Sequence, residues 1–188
     1  MNRRGFLASA GIAVALPVGL ARPARAASED ELAYANFAIA AELLMQDFYA
    51  RALAAKLFVG TAKNGATHAR FNEGEHVKAL STLLTDAGQS VPLPEDFAFQ
   101  WPKGSFRSAG AAAKTGIAIE SAAIGAYVSA ATVITIPSYR SLFARILADE
   151  GQHLAMLSWL VRGRPVGISF PPAVDLEAAT NALEPYLG

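Results

Sequence analysis

The sequence predicts an all-α protein, a four-helix bundle of two antiparallel helical hairpins joined by a long crossover, with a short C-terminal helix. Apolar and small residues recur at helical spacing over four long stretches, and no stretch alternates apolar and polar residues over the length of a strand. The chain has 188 residues, of which 53% are hydrophobic. This is enough to bury the core of a single domain.

Residues 1–26 have the pattern of a cleavable export signal, which leaves 27–188 as the folded domain. Arg3 and Arg4 precede an apolar run over residues 6–20, and the segment ends in Ala-Arg-Ala. The run is short for a helix that must cross roughly 30 Å of hydrocarbon. A permanent membrane anchor is therefore the weaker alternative.

The adjacent arginines and the Gly-Phe-Leu that follows them resemble a twin-arginine signal, which directs the export of already folded proteins. A plain secretory signal is the alternative, but Arg22 and Arg25 lie unusually close to the cleavage point for that class. We therefore expect a periplasmic or otherwise exported protein whose first partner is the twin-arginine export machinery.

Charge and cysteine content exclude several classes of function. Without residues 1–26 the chain has 12 basic and 16 acidic residues, a net charge of −4. No block of Lys and Arg is interleaved with aromatic residues, so a nucleic-acid partner is not expected. The absence of cysteine excludes disulfides, thiolate metal sites and iron–sulfur clusters.

The first hairpin is predicted from two periodic stretches. Helix one covers 29–58, with Ser28 or Asp30 as its N-cap and Gly60 as its stop. Helix two covers about 66–87 and ends at Gly88, the residue type favoured just past a helix C-terminus. Their short connection makes these helices antiparallel neighbours.

A crossover over residues 89–107 separates the two hairpins. It combines prolines and a glycine with aromatic side chains, which predicts an extended connection held down by aromatic contacts. These residues are Pro92, Pro94, Phe97, Phe99, Trp101, Pro102, Gly104 and Phe106.

The second hairpin is predicted over residues 108–161. Helix three fits 108–134, and Pro137 stands near the start of helix four, where proline is favoured. Gly163 and the residues after it end helix four at about 161, and a short helix over 175–183 closes the chain.

The two halves repeat one pattern of polar residues. A glutamate is followed seven residues later by a tyrosine, and about 30 residues after the glutamate stands a Glu-x-x-His motif preceded by Asn or Asp. The members are Glu42, Tyr49, Asn72, Glu73 and His76 in the first half, and Glu120, Tyr127, Asp149, Glu150 and His153 in the second. Glu and His three residues apart share one face of a helix.

All four glutamates lie on the apolar stripes of their helices, where the periodicity places the core. Burying an ionised carboxylate without a partner costs several kcal/mol, and no Lys or Arg lies on these stripes at the same level. Two divalent cations would match the charge. Four carboxylates and two imidazoles are the ligand set of di-iron and di-manganese carboxylate bundles, and oxygen-rich sites suit iron or manganese. The alternative is a chance recurrence of surface Glu and core His.

On these residues the sequence resembles the ferritin-like superfamily, and more narrowly the exported bacterial ferritin-like domain proteins. The resemblance implies that two glutamates bridge the metals, two are terminal ligands and each histidine holds one metal. The implied bridges are Glu73 and Glu150, the terminal ligands Glu42 and Glu120, and the histidines His76 and His153.

In this superfamily such centres react with oxygen or peroxide, as in ferroxidases, rubrerythrin-like peroxidases and manganese catalases. Without cysteine the chain lacks the rubredoxin-like module that supplies rubrerythrins with electrons, so any reductant must come from elsewhere. A large ferritin cage is a poor fit to export. The oligomeric state is left open, with a homodimer as one option.

Asn72 and Asp149 precede the ligand glutamates and could orient the imidazoles, because metal-bound histidine usually donates its second N–H to a carboxylate or carbonyl. We expect Asp149 to bond His76 and Asn72 to bond His153. A solvated aspartate near a helix end is the alternative for Asp149. Tyr49 could hydrogen-bond the site or carry an oxidising equivalent from it.

Tyr127 has the same two roles open to it in the second half, and simple core packing is the alternative for both tyrosines. Gly74 and Gly151 lie inside predicted helices at a cost of roughly 1 kcal/mol each relative to Ala, which suggests close helix approach beside the ligands.

The expected function is a di-metal oxidoreductase of peroxidase, catalase or ferroxidase type that uses oxygen or peroxide in oxidative-stress or metal handling. Two other classes remain open: a non-enzymatic stress or structural protein without turnover, and a partner-binding module that uses the aromatic segment 97–106 as its interface.

Overall fold

Five α-helices and no strand are present in residues 26–165 and 167–188, the part of the chain that the computed structural model describes. The helices are α1 (Glu29–Ala54), α2 (Gly60–Asp86), α3 (Ala109–Val133), α4 (Pro137–Arg162) and α5 (Leu176–Leu187), and a short 3-10 turn covers Pro94–Asp96. The predicted all-α class is confirmed. The export signal predicted at 1–26 lies outside the described residues apart from its last residue.

The bounds of the first hairpin differ from those expected. Helix α1 ends at Ala54, because the chain turns at Lys56, which has a left-handed φ of 55°. Gly60 does not merely stop α1 but is the first residue of α2, with a φ of +54°. Helix α2 therefore begins six residues before the predicted 66, in a stretch of small and polar residues that carries no apolar period. Buried Ala62 packs that first turn against the bundle.

The helices pack as two hairpins, α1 with α2 and α3 with α4, and the hairpins meet through the pairs α1–α3 and α2–α4. Helix α5 covers the α1–α3 side. Helix α3 is long and apolar enough to cross a membrane by length and composition, but half of that stretch is buried in the bundle and it contains Glu120. We interpret α3 as a core helix.

The crossover lies against α1 and α5 through aromatic contacts, as its composition predicts. The indole of Trp101 packs on Phe48 of α1 and on Tyr186 of α5, with ring centroids 5.8 and 5.7 Å apart. Its N–H donates to Asp47 Oδ2 at 2.9 Å, and Gln100 N donates to the Tyr186 carbonyl oxygen at 2.8 Å. The end of the chain and the crossover thus hold each other in place.

Glu31 links the start of α1 to the loop between α3 and α4. It forms a capping box with Ser28, and its fully buried Oε1 accepts hydrogen bonds from the Thr135 and Ile136 backbone N–H groups at 2.7 and 3.0 Å and from the Thr135 hydroxyl at 2.9 Å. Burial alone would raise the pKa of Glu31, but these donors together with the Ser28 N–H lower it to about 2.

We expect Glu31→Gln to lower the free energy of unfolding at pH 7 by about 2 kcal/mol, because hydrogen bonds to a buried charged group are lost or weakened. The pKa of Glu31 is depressed in the folded state, so its contribution is complete above its ordinary value of 4.5 and is lost as pH falls towards 2. Urea unfolding across this range measures the difference. Exposed Glu29 in the same turn is the control, and an equal effect of Glu29→Gln would contradict the assignment.

Candidate metal centre

The six predicted ligands meet in the interior of the bundle, midway between the two hairpins. Helices α1 and α3 contribute one glutamate each, and α2 and α4 contribute a glutamate and a histidine each. All four glutamates are fully buried, and His153 is 5% exposed. The side chain of His76 is 14% exposed and lies closest to solvent among the six, so the centre is nearest the surface on its α2–α4 side.

The ligand atoms form two overlapping groups, in each of which one atom per residue lies within 4.8 Å of the others. The groups are Glu42, Glu73, His76 and Glu150, and Glu73, Glu120, Glu150 and His153. Only Glu73 and Glu150 belong to both. Two positions that share two carboxylates are the arrangement expected of a bridged pair of ions.

Both imidazoles turn Nδ1 towards the carboxylates. His76 Nδ1 lies 2.9 Å from Glu42 Oε2 and 3.1 Å from Glu150 Oε1. His153 Nδ1 lies 3.0 Å from Glu73 Oε1 and 3.0 Å from Glu150 Oε2. One nitrogen of each ring therefore faces the shared space, and Nε2 faces outwards.

Several buried atoms of the site form no well-aligned hydrogen bond within the described residues, although Glu73 Oε1 and Glu150 Oε1 each lie near an imidazole Nδ1. They are Glu73 Oε1 and Oε2, Glu120 Oε2, Glu150 Oε1 and His153 Nε2. A buried polar atom left without a partner costs about 1–3 kcal/mol, so a set of this kind calls for another group between the residues. Carboxylate and imidazole donors suit iron or manganese. The residues thus fit a pair of such cations.

The pKa shifts at the site follow from the burial and crowding of its carboxylates. Burial, followed by the charges of Glu150 and Glu42, holds the pKa of Glu73 well above its usual range. Burial likewise raises the pKa of Glu120, reinforced by Glu150 and Glu73. Burial would lower the pKa of His76, but its contacts with Glu150, Glu42 and Glu73 raise that pKa to about 12. Without a metal, protons neutralise the cluster.

Two tyrosines cross between the hairpins and bond the terminal glutamates. Tyr49 of α1 donates its hydroxyl to Glu120 Oε1 of α3 at 2.6 Å, and Tyr127 of α3 donates to Glu42 Oε1 of α1. Burial and the surrounding carboxylates raise the pKa of both phenols well above 10. Both hydroxyls thus remain protonated donors, each of which fixes a glutamate of the opposite hairpin.

Asp149 lies beside both imidazoles, on the outer side of the site. Its Oδ2 is 3.5 Å from Nε2 of His76 and 3.5 Å from Nε2 of His153, and it accepts a hydrogen bond from Asn72 Nδ2 at 2.7 Å. The expected Asn72–His153 bond is therefore wrong. The two residues adjoin each other across α2 and α4, so that Asn72 positions Asp149 and Asp149 faces both rings.

We expect Asp149→Ala to reduce metal affinity by about 10- to 100-fold, the usual effect of removing a carboxylate behind a histidine ligand. Isothermal titration calorimetry with the metal ion measures this loss of affinity. Glu75→Ala is the matched control, because Glu75 is a half-exposed neighbour of the ligands that pairs with Lys78. Equal affinity of the Asp149→Ala and wild-type proteins would show that Asp149 is only a solvated surface residue.

The glycines beside the ligands behave differently from each other. A Cβ at Gly74 would lie 2.9 Å from Gln46 Nε2, the far end of a flexible side chain on α1, so the space beside Gly74 is occupied by that side chain. Gly151 is exposed and a Cβ there would meet nothing within 4 Å. The expected close approach at Gly151 is therefore wrong.

Comparison with known proteins identifies a family. A family model described as a ferritin-like domain matches residues 30–162, which span α1 to α4 and all six residues of the site. No match is found among curated proteins.

Proposed function

The chain belongs to the ferritin-like domain family, and from this premise we propose that it binds two iron or manganese ions and uses them to react with oxygen or hydrogen peroxide. The observation that carries the proposal is the pair of buried ligand groups that share Glu73 and Glu150. Within the described chain, the two imidazoles are the only side chains able to carry a positive charge that contact the four carboxylates. Two divalent cations would balance the four negative charges.

The residues divide into those that hold the ions and those that position them. Glu42 and His76 would hold one ion, Glu120 and His153 the other, and Glu73 and Glu150 would bridge them. When bound, such a pair supplies reversible redox chemistry together with Lewis acidity.

The surrounding residues would keep this chemistry controlled. Burial excludes bulk water from the carboxylates, which strengthens every electrostatic interaction inside the site. Tyr49 and Tyr127 donate hydrogen bonds from their hydroxyl groups to Glu120 and Glu42. Asp149 would orient both imidazoles through Nε2.

The proposal includes export. Its support is the paired arginine, apolar run and Ala-Arg-Ala of residues 1–26, which would place the domain at 27–188 in the periplasm after passage through the twin-arginine machinery. A fusion of residues 1–26 to a folded reporter should be exported, and Arg3→Lys with Arg4→Lys should retain it in the cytoplasm. Export of the doubly substituted fusion would instead indicate a plain secretory signal.

Metal loading followed by rapid mixing tests the chemistry. We expect protein loaded with iron(II) or manganese(II) under anaerobic conditions to retain two ions per chain and to change its optical spectrum on mixing with hydrogen peroxide or oxygen. Less than one ion per chain would overturn the proposal. Two ions without any reaction would favour a structural or stress-associated protein without turnover.

A further inference from the structure

We propose that Tyr49, Phe48, Trp101 and Tyr186, together called the aromatic route, conduct single electrons from a donor at the protein surface to the metal centre. The inference rests on the proposed function and deepens it. It supplies a path for the external reductant that a chain without cysteine requires, and it gives the crossover a role in the chemistry.

The inner end of the route touches the site directly. The Tyr49 hydroxyl donates to Glu120 Oε1 at 2.6 Å, and the Tyr49 ring lies 5.9 Å from that of His153. The next ring, that of Phe48, is 5.0 Å from Tyr49 in an edge-to-face contact. Both rings are fully buried.

Trp101 continues the route out of the bundle. Its ring lies 5.8 Å from Phe48, and its N–H donates to Asp47 Oδ2 at 2.9 Å. Asp47 is 25% exposed and also pairs with Arg51. An indole that loses an electron becomes far more acidic at its N–H, and here a carboxylate is already placed to accept its proton.

The outer end reaches solvent at Tyr186, whose partly exposed ring lies 5.7 Å from Trp101. The second hairpin has no equivalent path: in the described chain the one ring contact of Tyr127 is with Phe143, which is fully buried. The two halves are alike at the ligands but not in these outer rings. This asymmetry singles out the side of the bundle covered by the crossover and α5.

Electrons and protons balance along the route. When Tyr49 gives one electron to the oxidised centre, its hydroxyl proton moves to Glu120. Trp101 then reduces the Tyr49 radical, which recovers its proton from Glu120, and the indole proton moves to Asp47. An external one-electron donor reduces Trp101 across the Tyr186 ring, and Asp47 returns the proton. Two electrons transferred in this way, together with two protons from solvent, reduce one hydrogen peroxide to two waters.

Oxidation without a reductant tests the route, because the oxidising equivalent should then remain on Trp101. The iron-loaded protein, and in parallel the manganese-loaded one, is mixed with several equivalents of hydrogen peroxide per chain, because the first equivalent is consumed in oxidising the two metal ions and only further peroxide leaves an oxidising equivalent for Trp101. Metal oxidation is followed optically, radicals are followed by freeze-quench electron paramagnetic resonance, and oxidised residues are found by peptide mapping.

The chain has one other tryptophan, Trp159, which is 50% exposed and is the internal control. We expect several-fold more oxidation at Trp101 than at Trp159, although Trp159 is the more accessible to solvent. Trp101→Phe, which keeps an aromatic ring in the packing, should lose the tryptophan radical and slow re-reduction by an external donor. Trp159→Phe should change neither.

Each outcome decides between the two proposals. Metal oxidation with no excess of oxidation at Trp101, or an unchanged radical in Trp101→Phe, would leave the redox function standing and show that the rings serve packing alone. Failure of the metal to oxidise would defeat the proposed function, and the route with it. Peptide mapping of the wild-type protein gives the result even if Trp101→Phe does not fold.

Discussion

Replacing Glu73 by glutamine should abolish binding of at least one metal ion while leaving the metal-free protein as stable as the wild type or more so. Glu73 belongs to both ligand groups, so its loss affects both ion positions. We expect affinity to fall by more than about 100-fold, beyond the loss that follows removal of a residue behind the ligands.

Stability should move the other way because the metal-free site must take up protons to offset its crowded carboxylates. The pKa of Glu73 is raised in the folded state, so its contribution to stability is complete below its ordinary value of 4.5 and is lost as pH rises. Glutamine carries no charge and avoids that loss, which we expect to be worth about 1–2 kcal/mol at pH 7.

Two measurements on one pair of variants test this prediction. Metal content after anaerobic loading should fall in Glu73→Gln and remain at the wild-type value in Glu75→Gln, whose exposed carboxylate pairs with Lys78. Thermal unfolding of the metal-free proteins at pH 5 and 8 should show a smaller decrease with pH for Glu73→Gln. A Glu73→Gln protein that binds two ions tightly would remove Glu73 from the ligand set.

Gly116→Val should be the most destabilising of the single substitutions considered, by about 3 kcal/mol, the upper part of the range for overpacked cores. A Cβ at Gly116 would lie 2.7 Å from Leu157 Cδ1 and 2.7 Å from Phe48 Cζ, and both of those residues are fully buried. Neither side chain can move without disturbing the core between α1, α3 and α4.

Differential scanning calorimetry should show the effect as a fall of about 10 °C in Tm. Gly151→Val provides the matched control, because Gly151 also lies inside a helix but has open space around its Cβ position. That substitution should be neutral or slightly stabilising, since glycine is a poor helix former. Similar Tm values for the two variants would mean that the Gly116 contact relaxes without cost.

The sequence could predict the helices because each buries a continuous stripe, and the period of that stripe survives in the residue pattern. It could not predict where α1 ends, because Leu57 and Phe58 continue the apolar pattern. Phe58 is indeed buried, but only after the chain has turned at Lys56. The start of α2 at Gly60 depends on packing against other helices, which a local pattern does not contain.

The candidate ligands could be predicted because a glutamate on an apolar stripe needs a reason to be there. Their partners could not. Tyr49 lies on the same stripe as Glu42, yet it bonds Glu120 on the other hairpin, since the direction of a side chain depends on which helices are neighbours. For the same reason the Trp101–Asp47 hydrogen bond could not be predicted, because it joins residues 54 positions apart.

Glu31 and Asp149 show what a single sequence leaves open. Glu31 reads as an ordinary acidic residue in the first turn of a helix, and its bonds to the loop between α3 and α4 appear only in the folded chain. Asp149 could be expected near one imidazole, but its position between both rings follows from how α2 and α4 pack.

The sharing of ligands between the hairpins has a consequence for how the chain comes apart. Each ligand group takes three members from one hairpin and one glutamate from the other, so neither hairpin completes a group alone. Bound ions would then act as a clamp across the α1–α3 and α2–α4 contacts. Removing them should speed the separation of the hairpins, and with it proteolytic cleavage of the crossover, while each hairpin by itself remains helical for longer.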